Sequence, residues 1–185
     1  MLSDQALASA IAGGDQQAYQ QAVARHGRAI AVYAWRLLGD ESLAEDIAQE
    51  TFIRLWTRAS DWRPEKASLT TWLHRIAHNL CMDYLRRTGP SAPSLLPGED
   101  SVRADSSESG DPVEDERVKQ LLHEALMLLP ERQRSALVLV HYQSLSNREA
   151  AEVVGVSVRA LESLLVRARQ SIKRSMKGEG NGSPG

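Results

Sequence analysis

SNREAAEVVGVSVRALESLLVRARQSIKRSMK, residues 146–177, reads as two helices joined by a tight turn. Ser146 can cap the first helix, and Glu149 stands three residues on, the spacing of a capping box. Gly155 breaks the pattern, Val156 packs the corner, and Ser157 opens a longer helix as a second N-cap. A short helix, a glycine turn and a second helix make a helix-turn-helix unit, whose second helix can enter the DNA major groove.

The wheel of that second helix agrees. Leu161, Leu164, Leu165, Ala168 and Ile172 recur at helical spacing and form one apolar stripe. The opposite face carries Arg159, Glu162, Ser163, Val166, Arg167, Gln170, Lys173 and Arg174. Arg can fork onto guanine, Ser can read base edges and Val can touch a thymine methyl. The later basic residues suit phosphates. The plainer alternative is a solvated amphipathic helix in a bundle. Two capped helices at a glycine turn, followed by this charge pattern, favour DNA.

The chain has 185 residues, enough for one domain or two small ones, and its 42% hydrophobic and 25% charged composition is that of a soluble protein. No apolar run is long enough to span a bilayer and no signal peptide is evident, so the expected location is cytoplasmic. The single cysteine, Cys81, excludes an intramolecular disulfide and a zinc–cysteine cluster. Ala, Leu, Arg, Glu and Gln fill the periodic stretches, which predicts an all-α protein.

The net charge of −2 conceals a strong asymmetry. Residues 88–117 hold eight acidic and two basic residues, whereas residues 128–177 hold nine basic and four acidic ones. Residues 1–87 balance at ten of each. Positive charge is therefore confined to the segment with the helix-turn-helix.

Residues 3–13 and 15–39 read as helices, with Asp15 a cap, Gly27 a kink point, and Tyr19, Ala22, Val23, Ile30, Ala34 and Leu37 on one face. In the helix over 41–59, Ala44, Ile47, Ala48, Thr51 and Leu55 form an inner stripe; Asp46, Gln49, Glu50 and Ile53 lie largely elsewhere. Residues 60–67 are a loop around Trp62 and Pro64. A further helix opens near Ser68, with Leu69, Leu73, Ile76, Ala77, Leu80 and Tyr84 inward and Arg75, Asn79 and Arg86 outside that stripe. His74 and His78 have the i, i+4 spacing of helical metal ligands, but Arg75 stands where the metalloprotease motif needs Glu. They are expected to be surface or partner-facing, and neither a metal nor a cofactor is expected.

Residues 88–112 are rich in Pro, Gly, Ser and acids, the composition of a flexible acidic linker. A second domain follows over 113–177. Leu121, Leu122, Ala125, Leu126 and Leu129 form its first core face; Pro130 starts a fresh helix with Ala136, Leu137, Val138 and Val140 inward. Residues 178–185 are expected to be a disordered tail.

Three segments taken in order, AEDIAQETFIRLW (44–56), TTWLHRIAHNLCMDYLRR (70–87) and LLPERQRSALVLVHYQSLSNREAAEVVGVS (128–157), resemble the bacterial RNA polymerase sigma factors of the ECF (extracytoplasmic function) group. The resemblance covers nearly the whole chain apart from the linker and tail. It implies region 2 over 1–87 and region 4 over 113–177. It implies that Asp46, Gln49 and Glu50 dock on the clamp helices of the polymerase largest subunit. Trp62, Arg75, Asn79 and Arg86 are the implied residues for recognising and melting the minus-ten element. The helix-turn-helix would read the minus-thirty-five element through Arg159, Glu162, Ser163, Val166, Arg167, Gln170 and Lys173. The resemblance further implies no catalytic chemistry, and control by an anti-sigma factor, often a membrane-anchored one.

Where many members of that group carry Lys or Arg, this chain has Glu162, and where many carry Arg it has Leu164. Leu164 falls on the apolar stripe. Glu162 could accept from a cytosine amino group or merely repel phosphate. Three rival readings remain: a helix-turn-helix regulator that is not a polymerase subunit, a hydrolase with a metal at His74 and His78, and a protein-interaction module. The first leaves the segment 44–56 unexplained, the second lacks ligands, and the third predicts no salt-dependent DNA binding.

Overall fold

The structure, a computed structural model, describes residues 2–89 and 112–179. The helices, in chain order, are α1 (Asp4–Ala12), α2 (Gln16–Leu38), α3 (Glu41–Arg58), α4 (Leu69–Thr88), α5 (Pro112–Met127), α6 (Glu131–His141), α7 (Asn147–Val154) and α8 (Val158–Glu179). A single 3-10 turn, Ala59–Asp61, separates α3 from the loop before α4. No strand occurs among the described residues. The chain is all-α, as its composition predicts.

The expected linker and tail are each shorter than the sequence reading, and helix ends elsewhere shift by a residue. Thr88 still belongs to α4, and Pro112 already opens α5. The rest of the expected linker, 90–111, lies outside the described residues. α8 runs through Glu179, so 178 and 179 are helical and not tail. Residues 180–185 lie outside the described residues.

Side-chain caps start most of the helices. The Asp15 carboxylate accepts from the Gln17 and Ala18 amides, Asp40 from Leu43, and Ser68 from Thr71. Each satisfies a donor that the first helical turn cannot pair internally. α2 runs through Gly27 as one helix; a Cβ there would sit 3.9 Å from Phe52, in ordinary packing contact. Gly39 ends α2 at φ 73°, and a Cβ at that position would lie 2.9 Å from the Met127 methyl. The left-handed backbone favours glycine there, whereas the Met127 methyl, at the far end of a flexible side chain, could move aside.

α2 is the central element. It touches α1, α3 and α4 in the first block and α5 and α6 in the second. Its core side, Ala18, Ala22, Ile30, Tyr33, Ala34 and Leu37, is fully buried or nearly so. α7 packs on α4, and α6 and α5 pack on α8. The two blocks share one continuous apolar core, from Leu7 and Ile30 through Leu73 to Leu139 and Leu161. The sequence left the relative placement of the blocks open; in the structure they are packed together.

That seam has polar contacts of its own. Arg134 of α6 donates to the main-chain carbonyl of Leu37 in α2, and also to those of Met127 (2.8 Å) and Leu129 (3.0 Å). Trp35 and His123 stack with centroids 4.5 Å apart and planes 9° apart. The Arg36 guanidinium lies 3.7 Å from the centre of the Tyr142 ring, a cation–π pair. The Thr71 hydroxyl donates to Glu149 Oε1 at 3.2 Å.

His74 and His78 therefore correct the sequence reading. They are 1% and 5% exposed, not surface residues. His74 Nδ1 lies 2.8 Å from the Thr70 carbonyl and Nε2 3.3 Å from Gln143 Oε1, whereas His78 Nδ1 lies 2.9 Å from the Tyr33 hydroxyl. The two rings thus differ in their hydrogen-bond partners, though both meet Tyr33, whose ring lies edge-on to His74 at 5.4 Å. The physical reason for the misreading is the second block, which buries a face of α4 that looks polar in sequence.

Candidate nucleic-acid interface

The helix-turn-helix forms as its sequence dictates. The Ser146 hydroxyl accepts from the Glu149 amide at 3.3 Å, and the Glu149 carboxylate accepts from the Ser146 amide at 2.9 Å, completing the capping box. These hydrogen bonds, Ser146's foremost, hold the Glu149 carboxyl below its ordinary pKa. Gly155 closes α7 at φ 75°, and the Ser157 hydroxyl accepts from the Ala160 amide at 3.1 Å to open α8.

α8 divides as its wheel predicts. Leu161, Leu165 and Ala168 are buried, while Leu164 and Ile172 are partly buried against the core. A hydrogen bond between Arg169 and His141, 3.0 Å, adds a tie from α8 to α6. Arg159, Glu162, Ser163, Val166, Arg167, Gln170 and Lys173 are all exposed. The first six of these line one shallow surface depression. Three cations, two hydrogen-bonding side chains, one valine and one carboxylate thus share a solvent-facing surface on a rigid helix. Such a set can fork onto guanine, contact a thymine methyl and neutralise phosphates.

On α3, Asp46 and Gln49 are exposed and Glu50 is half-buried, with its carboxylate accepting from Arg54 at 2.9 Å. Ile53 shares that face at 53% exposure, and Trp56 is 37% exposed with its ring edge against Tyr19. Phe52 points the other way and is buried. The face is thus acidic and polar at one end and apolar at the other, with Ile53 left exposed among the described residues.

On α4, Arg75, Asn79 and Arg86 are exposed along one stripe at i, i+4, i+11, and Arg86 pairs with Asp83. Trp62 does not join them. Its ring is 8% exposed and its indole N–H donates to the Ala67 carbonyl at 3.0 Å, closing the loop upon itself. The aromatic that shares the α4 stripe is Trp72, half-buried one turn before Arg75. The sequence reading missed it, although its i−3 spacing from Arg75 and i−7 from Asn79 was the available signal.

No helix among the described residues is long and apolar enough to cross a membrane. Among the same residues no group of three His, Cys, Asp or Glu side chains could hold a metal ion.

An exposed, mainly basic helix face on a helix-turn-helix, preceded by a helical block with an exposed acidic face, is the arrangement of a two-block DNA-binding transcription factor. Residues 22–90 match the family described as Sigma-70 region 2, and residues 119–172 the family described as Sigma-70, region 4. The RNA polymerase sigma factor NccH of Alcaligenes xylosoxydans xylosoxydans is 35% identical over 173 residues, 91% of this chain and 92% of NccH. The ECF RNA polymerase sigma factor SigE of Mycolicibacterium smegmatis is 34% identical over 177 residues, 92% of this chain and 68% of SigE. Among solved structures, CnrH in complex with the cytosolic domain of CnrY superposes with a TM-score of 0.72 at 28% identity, covering 95% of this chain and 97% of CnrH. The chain belongs to the ECF group of RNA polymerase sigma factors, which direct promoter-specific transcription initiation.

Proposed function

We propose that the chain docks on the clamp helices of the core polymerase largest subunit through Asp46, Gln49 and Glu50. The supporting observation is the uncovered face of α3, where these residues stand beside exposed Ile53. α8 reads the minus-thirty-five duplex through Arg159, Glu162, Ser163, Val166, Arg167 and Gln170, with Lys173 on phosphate. Arg75, Asn79 and Arg86 on α4 meet the melted minus-ten strand. Trp72 offers the stacking surface there, and Trp62 shapes the neighbouring loop. The protein does no bond-making chemistry of its own; it acts in the cytoplasm by binding closed and melted DNA differently.

The packed arrangement cannot engage both promoter elements at once. A folded chain of this length is about 40 Å across. Elements roughly 25 base pairs apart on duplex DNA are separated by about 85 Å. The seam between α2 and α4 on one side and α5, α6 and α7 on the other must therefore part on the promoter. The first helix of a helix-turn-helix crosses the DNA backbone, and here α7 faces α4 instead. An anti-sigma factor that grips both blocks would hold the seam shut. CnrH, which is similar along its length, is seen in complex with the cytosolic domain of CnrY, which supports a protein partner of this kind for the present chain.

Replacing Asp46, Gln49 and Glu50 together by Ala tests the docking assignment. Co-purification with core polymerase should be lost while the helical circular dichroism is unchanged. Normal binding by a folded triple variant would overturn the assignment.

A further inference from the structure

Glu162 is the one acidic side chain on the reading surface of α8. It is exposed, in the second turn of the helix, and lines the same depression as Arg159, Ser163 and Val166. No hydrogen bond or ion pair among the described residues accounts for it. Its helical neighbours at i−4, i+3 and i+4 are Val158, Leu165 and Val166, none of which can pair with a carboxylate. Arg159, at i−3, makes no ion pair with it among the described residues. A solvating acid would serve as well on any other exposed position of the chain. On a surface that meets DNA, a bare carboxylate is repelled by every phosphate it approaches and weakens binding to all sequences alike.

We propose that Glu162 selects a cytosine in the minus-thirty-five element by accepting a hydrogen bond from its N4 amino group. The proposal rests on the reading of α8 as the helix that enters the major groove. The N-terminal half of such a helix meets the base edges, and Glu162 lies within it. In the major groove only cytosine N4 and adenine N6 are donors. Adenine places its N7 acceptor beside N6, where it repels a carboxylate; cytosine has no acceptor on that edge of the groove. Arg159 and Glu162 are one turn apart, about 4.5 Å along the axis, close to the ~3.4 Å step between base pairs. The selected cytosine therefore stands within one or two base pairs of the position Arg159 reads.

The test uses the full chain with core polymerase on a promoter it opens, with the upstream element randomised. Sequencing the transcribed templates should show one position enriched in cytosine, on the order of tenfold. Glu162→Ala should flatten that position and leave the others, with binding to non-specific duplex slightly tighter. Glu162→Gln, which can fork onto adenine N6 and N7, should move the same position toward adenine. A wild-type profile without a cytosine-enriched position, or a Glu162→Ala profile unchanged from wild type, overturns the proposal. So does a Glu162→Ala profile that loses a guanine instead, which would make Glu162 a positioning residue for Arg159. If an active core polymerase opens no promoter with the wild-type chain, the sigma assignment itself falls, an outcome distinct from a promoter profile that lacks cytosine.

Discussion

Arg134 brings a guanidinium into the seam, where it is 7% exposed and donates to three main-chain carbonyls on two blocks. Those oxygens end α2 and the α5–α6 turn, so no backbone amide is available to them. Arg134→Ala should lower stability in urea by about 2–4 kcal/mol, because buried acceptors are left unpaired. Arg134→Lys should recover only part of that loss, since an ammonium cannot reproduce the fork. Nothing in PERQRSALVLV distinguishes Arg134 from the exposed Arg132; packing against α2 alone decides which is buried. His78 makes the corresponding case for pH. It is buried, lies within hydrogen-bond distance of the Tyr33 hydroxyl of α2, and feels the positive charge of Arg132 of α6. Burial first, and Arg132 second, lower its pKa from 6.5 to about 4. The unfolded chain takes up this proton below about pH 6.5 while the folded chain refuses it until about pH 4. Stability is therefore full above pH 6.5 and falls as pH drops through that window, by about 3 kcal/mol at most from this residue. Thermal midpoints should fall between pH 7 and pH 5, and fall less steeply in His78→Gln.

At the scale of the helix, α8 separates buried positions from the proposed reading positions cleanly enough to predict different losses. Arg167→Ala removes a fork and should weaken binding at one base position about tenfold, with core polymerase binding retained. Lys173→Ala should weaken binding evenly across sequences and reduce the slope of log affinity against log salt by about one. Filter binding over a salt series distinguishes the two. This helix was legible in sequence because caps, period and glycine turn all agree: Ser146, Gly155, Ser157 and the Leu161–Ile172 stripe stand where the pattern puts them. α4 was only half legible. Leu69, Leu73, Ala77 and Leu80 gave the inner stripe, but Thr71, His74 and His78 are buried as well. A helix packed on two sides hides its second face when that face is built of hydrogen-bonding side chains, because periodicity counts only apolar ones. Trp62 is the opposite case: a loop tryptophan looks exposed in sequence, and in the structure its ring is buried with its N–H on the Ala67 carbonyl.

At the scale of the whole molecule, the seam is what sequence could not supply. Its contacts join residues far apart in the chain, such as Thr71 with Glu149 and Leu37 with Arg134, and no local pattern encodes such pairs. Several seam residues also serve their own block. Glu149 completes the α7 capping box, so its bond to Thr71 adds a tie between blocks without a dedicated residue. A seam with a shared apolar core but few polar bonds can hold the free chain closed and still part when polymerase and promoter bind each block more strongly. Among the described residues, the acidic side chains of α3 and the basic ones of α8 are exposed in the packed state, so the proposed contacts require no prior opening to begin. The most direct test of the account is run-off transcription with purified core polymerase and host genomic fragments, with and without this chain. The account predicts new start sites that require the chain and disappear with the Asp46, Gln49 and Glu50 triple variant. An active core polymerase that gains no start site from the folded chain would contradict it.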